Sequence, residues 1–183
     1  SSAAKQQAPL PLAPSVRGLK NEGAYAVLAA ATALEQQGKN IVHLEIGQPD
    51  FPTPKHIVQA GVGALSGGET TYTNPSGTIT IKEAIAEFVS KSRCVTVTPD
   101  EIVVGPGCKP GLFFAAMAII EKGDEVVLPD PCFPTYTNMV DVAGGVSVMC
   151  PLDSDRRCFD MAALEACITD KTRLLVVNSP GNP

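Results

Sequence analysis

From Glu101 to the end, short apolar runs alternate with segments of helical period, and connections of a few residues separate them. The pattern predicts strands at Ile102–Val104, Glu125–Leu128, Val146–Cys150 and Arg173–Val177. Between them it predicts helices at Gly107–Glu121, Thr135–Val142 and Met161–Ile168. Strands joined through helices of this length make crossovers, which implies a mostly parallel sheet with helices on both faces, an α-β-α sandwich in the α/β class. At 44% apolar and 5% aromatic, the core of such a sandwich must be built from Ala, Val, Ile and Leu.

The earlier chain is less regular. Val27, Leu28, Ala31 and Leu34 recur at helical spacing, so a helix is expected over Gly23–Gly38, with Gly38 as its stop. A short strand is expected at Ile41–Ile46, then a proline-rich turn, then helices at Lys55–Leu65 and Ile79–Ser90. Residues 1–22 read as a flexible N-terminal arm.

Charge and cysteine usage exclude several classes of function. A net charge of −5 with scattered Lys and Arg offers no basic face, so no nucleic-acid partner is expected. No apolar run reaches the roughly 20 residues of a membrane span, and the first fifteen residues lack a secretory signal's apolar core. The six cysteines form no C-x-x-C pair, and only His43 and His56 could join them around a metal. Reduced thiols and no metal site are expected, in a soluble protein of the cytoplasm, with an organelle as the alternative.

In an open parallel sheet, ligands bind beyond the carboxyl ends of the strands, so the loops leaving strands carry the interest. Gly105-Pro106-Gly107-Cys108-Lys109-Pro110-Gly111 is a glycine-rich strand-to-helix turn, a setting in which backbone N–H groups and the helix dipole attract anions. It has neither the Walker nor the dinucleotide spacing. Asp130-Pro131-Cys132-Phe133-Pro134 places an aromatic between two prolines, and Asn178-Ser179-Pro180-Gly181-Asn182-Pro183 offers amides at the same sheet edge. Each also has a plainer reading: a tight connection, a core ring and an Asn-Pro turn.

Taken in order, these loops resemble those of the class I/II aminotransferases, pyridoxal-phosphate enzymes of fold type I. Leu44-Glu45-Ile46-Gly47-Gln48-Pro49-Asp50-Phe51-Pro52-Thr53-Pro54 is similar to that family's N-terminal signature, and Tyr72 to Gly77 to its tyrosine loop. Lys122-Gly123-Asp124-Glu125-Val126 and Asp170-Lys171-Thr172-Arg173 extend the match, which covers roughly residues 23–183.

The resemblance implies pyridoxal 5'-phosphate as cofactor, held at its phosphate by Gly107, Cys108 and Lys109, under its ring by Phe133 and at its phenolic oxygen by Asn182. It implies that Gly47 meets the substrate carboxylate through its main chain. It also implies a homodimer in which Tyr72 reaches the partner's phosphate. The expected activity is amino transfer between an amino acid and a 2-oxo acid. The alternatives are another pyridoxal reaction, such as carbon–sulfur β-elimination or cyclopropane formation, and a non-catalytic binding module.

The family's Schiff-base lysine falls after Asn182 and has no match here; Lys5, in the arm, and Lys109, at the phosphate turn, do not replace it. No catalytic residue is therefore assigned, and the chain is expected to be an N-terminal part, marginally stable by itself. On this reading residues 23–54 are a small-domain segment with linker, and residues 55–183 an incomplete large cofactor-binding domain. Cis bonds are expected at Asp130-Pro131 and Asn182-Pro183.

Overall fold

The computed structural model describes residues 11–19, 23–153, 155 and 158–182. In chain order it has α1 (Pro14–Arg17), α2 (Gly23–Glu35), α3 (Lys55–Ser66), α4 (Ile79–Arg93), a single 3-10 turn (Pro99–Glu101) and α5 (Cys108–Ile119). β1 (Glu125–Asp130), α6 (Thr135–Ala143), β2 (Val146–Pro151), α7 (Met161–Cys167) and β3 (Thr172–Leu175) follow. The chain divides into two compact units, one formed by Ser1–Ile41 with Gly111–Pro183 and the other by Val42–Pro110.

The first unit contains a three-stranded parallel sheet in the order β2-β1-β3, as the alternation predicts. Pairing with β2 runs from Glu125 opposite Val146 to Asp130 opposite Pro151. Along β3 the register shifts by one residue between Glu125 and Val126, a local bulge at the start of the strand.

As the central strand, β1 is covered on both faces, and its Val126-Val127-Leu128 run has no exposed surface. Side chains alternate across a strand. Val126 and Leu128 therefore pack with Ala116 of α5, with Ile120 just after it and with Tyr136, Met139 and Val140 of α6, while Val127 packs with Cys150 and with Leu164 of α7. A strand buried on both sides reads as a continuous apolar run rather than an alternating one. Each such side chain contributes about 1.5–3 kcal/mol on burial.

The ends of these elements follow from local chemistry. Pro131 has no N–H to extend the β1 ladder. Gly144, at φ 85°, closes α6 in the left-handed region that glycine tolerates. Asp160 starts α7 by accepting the N–H of Ala163 at 2.9 Å. Within the expected arm, Pro14–Arg17 forms a helical turn that lies against α6; residues 1–10 and 20–22 of that arm lie outside the described residues.

The second unit contains α3 and α4. Among the described residues α3 buries no side chain, and Ile57, Val58, Val62 and Leu65 are each at least half exposed. α4 ends at Cys94, a non-glycine residue at φ 54°.

Two expected strands are absent. Ile41–Ile46 and Ile102–Val104 are extended or bent but belong to no ladder. An apolar run becomes a strand only beside a partner, and no described strand lies next to either. All six cysteines are unbridged.

Candidate functional site

In the second unit the extended residues 102–104 lead into the glycine turn. Gly107 adopts φ 89° and donates its N–H to the carbonyl of Gly105 at 2.9 Å, folding the chain back before α5 begins at Cys108. The first N–H groups of any helix have no acceptor inside it, and residues 105–109 are exposed. A Cβ placed on Gly107 or Gly111 would meet nothing within 4 Å, so the turn is open on its outer side. A helix end of this kind attracts anions.

The tyrosine loop is held in the same unit by a compact set of hydrogen bonds. Asn74 Oδ1 accepts from the N–H of Ser76 at 2.9 Å and from its hydroxyl at 2.8 Å, and the N–H of Gly77 donates to the Asn74 carbonyl at 2.9 Å. Lys82 Nζ, from α4, donates to Ser76 Oγ at 3.4 Å. The N–H of Val104 then donates to the carbonyl of Ser76 at 2.9 Å, joining this loop to the residue that precedes the glycine turn. Tyr72 itself is fully exposed.

Gly47 is also exposed, and a Cβ there would meet nothing within 4 Å. Just before it, His43 Nδ1 and Glu45 Oε1 lie 2.6 Å apart, and this hydrogen bond lowers the Glu45 carboxyl pKa.

In the first unit, the Phe133 and Asn182 loops leave the carboxyl ends of the neighbouring strands β1 and β3. Phe133 is half-buried against the α5–α6 core and stands edge-to-face with Tyr136, with ring centres 5.8 Å apart at 82°. That contact favours the ring's orientation. Asp130-Pro131 is cis as expected. In the other loop the cis bond is Ser179-Pro180, while Pro183, and with it Asn182-Pro183, lies outside the described residues.

With the Asn178 amide oriented to satisfy both ends, its nitrogen donates to the Pro180 carbonyl and its oxygen accepts from the Asn182 N–H, each at 3.3 Å. The Asn182 side chain sits on this clamped turn and is exposed. Cys132, beside Phe133, has its thiol pKa raised by burial and then by the charge of Asp130.

A polar cavity of about 300 Å³ lies elsewhere, at the amino ends of the strands, lined by Glu121, Asp124, Asp170, Lys171, Thr172 and Arg173. Among the described residues no His, Cys, Asp and Glu cluster could hold a metal, and no helix is long and apolar enough to cross a membrane.

A family model described as "Aminotransferase class I and II" matches residues 39–183. The chain belongs to this family. Class I and II aminotransferases use pyridoxal 5'-phosphate. The chain is 41% identical over 157 residues to the (5-formylfuran-3-yl)methyl phosphate transaminase of Methanocaldococcus jannaschii, covering 86% of this chain and 40% of that protein. It is 36% identical over 180 residues to the bifunctional aspartate aminotransferase and glutamate/aspartate-prephenate aminotransferase of Petunia hybrida, covering 98% of this chain and 38% of that one.

The solved aspartate aminotransferase from Thermus thermophilus with maleate superposes at a TM-score of 0.90 with 38% identity, over 94% of this chain and 46% of that one. The chain thus spans less than half the length of these aminotransferase relatives.

The residues present fit the phosphate end of the cofactor, because an open glycine turn at a helix N-terminus suits a dianion. Phe133, in the other unit, is a flat apolar group at the sheet's carboxyl edge, of a kind that suits a planar ring. Sequence reasoning missed two features of the site. The bond from Val104 to Ser76 leaves no side-chain signal, whereas the four-residue spacing of Asn178 and Asn182 could have announced the clamp.

Proposed function

We propose that the protein carrying these residues transfers an amino group between an amino acid and a 2-oxo acid, with pyridoxal 5'-phosphate as carrier. The observation that carries this reading is the open Gly105–Lys109 turn at the head of α5, in a chain of the aminotransferase family. When bound, the cofactor supplies a carbonyl carbon that takes the amino group and a ring that accepts electron density from the substrate.

The residues of this chain bind and orient. The Gly107 turn presents the first N–H groups of α5, from Cys108 on, to the phosphate, and the Lys109 ammonium adds a positive charge beside it. Phe133 lies under the ring, and its edge-to-face contact with Tyr136 supports it from the core side. The Asn182 amide donates to the ring's phenolic oxygen, and the Gly47 main chain meets the substrate carboxylate. Tyr72, whose ring is fully exposed in one chain, reaches the phosphate of a second copy in a homodimer. The cytoplasm is the proposed location.

The test is to purify the natural protein and record cofactor absorbance, then assay amino transfer. Aspartate is the first donor to try, since several of the similar aminotransferases are named for it. Transfer that needs both an amino acid and a 2-oxo acid supports the reading. Release of pyruvate and ammonia without an oxo acid would replace it with β-elimination, and cofactor binding without turnover would replace it with a binding module.

A further inference from the structure

We propose that Ser76, Gly77 and Val104 form a positioning tie through which occupancy of the glycine turn orders the Tyr72 loop. The inference rests on the functional reading above, which makes the turn a phosphate cup and Tyr72 a group that serves a second copy.

Three observations carry it. First, Tyr72 is fully exposed, so no packing within the chain sets its position, and the backbone that follows it must do so. That backbone is fixed at Asn74, Ser76 and Gly77 by hydrogen bonds of 2.8–2.9 Å, with Lys82 of α4 adding a bond to the Ser76 hydroxyl.

Second, the fixed loop is fastened to the residue that precedes the turn. Val104 pairs with no strand, and its N–H donates to the Ser76 carbonyl at 2.9 Å. One residue later the chain enters Gly105-Pro106-Gly107, so a shift of the turn is passed through Val104 to Ser76.

Third, the approach of the two segments admits only glycine at position 77. Gly77 has φ 106°, and a Cβ there would stand 3.0 Å from both Cβ and Cγ2 of Val104. The contact is with the branched base of a side chain, which cannot swing aside.

A ligand that rigidifies the turn therefore also rigidifies the loop, and two sites that share an ordering cost are coupled. In a homodimer with Tyr72 acting across the interface, filling one site prepares the tyrosine that serves the other. Gly77 and Val104 are thus positioning residues for the partner's phosphate as well as for their own.

Hydrogen exchange on the natural full-length protein, with and without pyridoxal 5'-phosphate, tests this. Tyr72→Phe removes the direct hydroxyl contact, so any slowing at residues 72–77 in that variant must arrive through the chain. We expect cofactor to slow exchange at residues 105–111 and at 72–77 in Tyr72→Phe. Adding Val104→Pro, which deletes the donor, should leave the first effect and abolish the second. Gly77→Ala should weaken cofactor affinity by roughly five-fold or more, the lower end of ordinary coupling.

Slowing confined to residues 105–111 in Tyr72→Phe overturns the tie, even where the double variant does not fold. A wild-type protein that takes up no cofactor defeats the functional reading and the tie together. Uptake without the second effect defeats the tie alone.

Discussion

Gly145 faces Ile120 so closely that a Cβ on Gly145 would stand 2.8 Å from Ile120 Cγ2, with Val140 Cγ1 at 3.1 Å and the Asp124 carbonyl at 3.2 Å. The glycine allows the turn from α6 into β2 to lie on the core. Gly145→Ala must push a branched core side chain or the backbone aside, and overpacking of this kind costs about 1–3 kcal/mol. Urea unfolding of the natural protein should show that loss, and an unchanged midpoint would mean that the core gives way freely.

Asp160 is the N-cap of α7, a helix of only seven residues that covers the Val127 face of the sheet through Leu164. Asp160→Ala leaves the N–H of Ala163 without its acceptor and should cost about 1 kcal/mol. Asp160→Asn, which keeps a carbonyl oxygen at the cap, should recover most of it in the same unfolding assay.

Acid should loosen the segment before the glycine turn. Glu101 accepts from the backbone N–H and the hydroxyl of Thr98, each at 2.8 Å, and these bonds lower its pKa from the ordinary 4.5. A lowered carboxyl contributes stability that is complete above 4.5 and is lost as pH falls through the lower folded value. Limited proteolysis near Thr98 should therefore rise below that pH in the natural protein, and Glu101→Gln should show no such rise.

The thiols should react in two groups. Cys94, Cys108 and Cys158 are exposed, whereas Cys150 is buried and its pKa is pushed up to about 11, by burial first and then by its hydrogen bond with Cys167. At pH 8 roughly a thousandth of a thiol with that pKa is ionised. Mass spectrometry during native alkylation should find the exposed three labelled first and Cys150 last. On the functional reading, cofactor slows labelling of Cys108 and leaves Cys94 and Cys158 unchanged.

The sequence was most readable where burial is two-sided. Val126-Val127-Leu128 could be placed in a strand because a sheet covered on both faces needs apolar side chains on each, and the helices around it carry the matching periods; its central position came from the structure. Isolated runs are harder to place: residues 102–104 and 41–46 have the composition of strands, yet pairing depends on a neighbour that composition does not reveal.

The glycine turn could be located at a helix start from the alternation of apolar runs and helical periods, whereas the roles expected of Phe133, Asn182, Gly47 and Tyr72 came from family likeness. The bond from Val104 to Ser76 joins two backbone groups far apart in sequence, so no side-chain pattern could announce it.

The helical turn Pro14–Arg17 rests on α6, Thr135–Ala143, and the whole second unit lies between them in the chain. During synthesis the first of these is made roughly 120 residues before the second, which at ordinary ribosomal speeds is a wait of about 6–24 s. The Pro14–Arg17 turn therefore leaves the ribosome without the surface it will cover, and the Val42–Pro110 unit can form while that turn is still undocked.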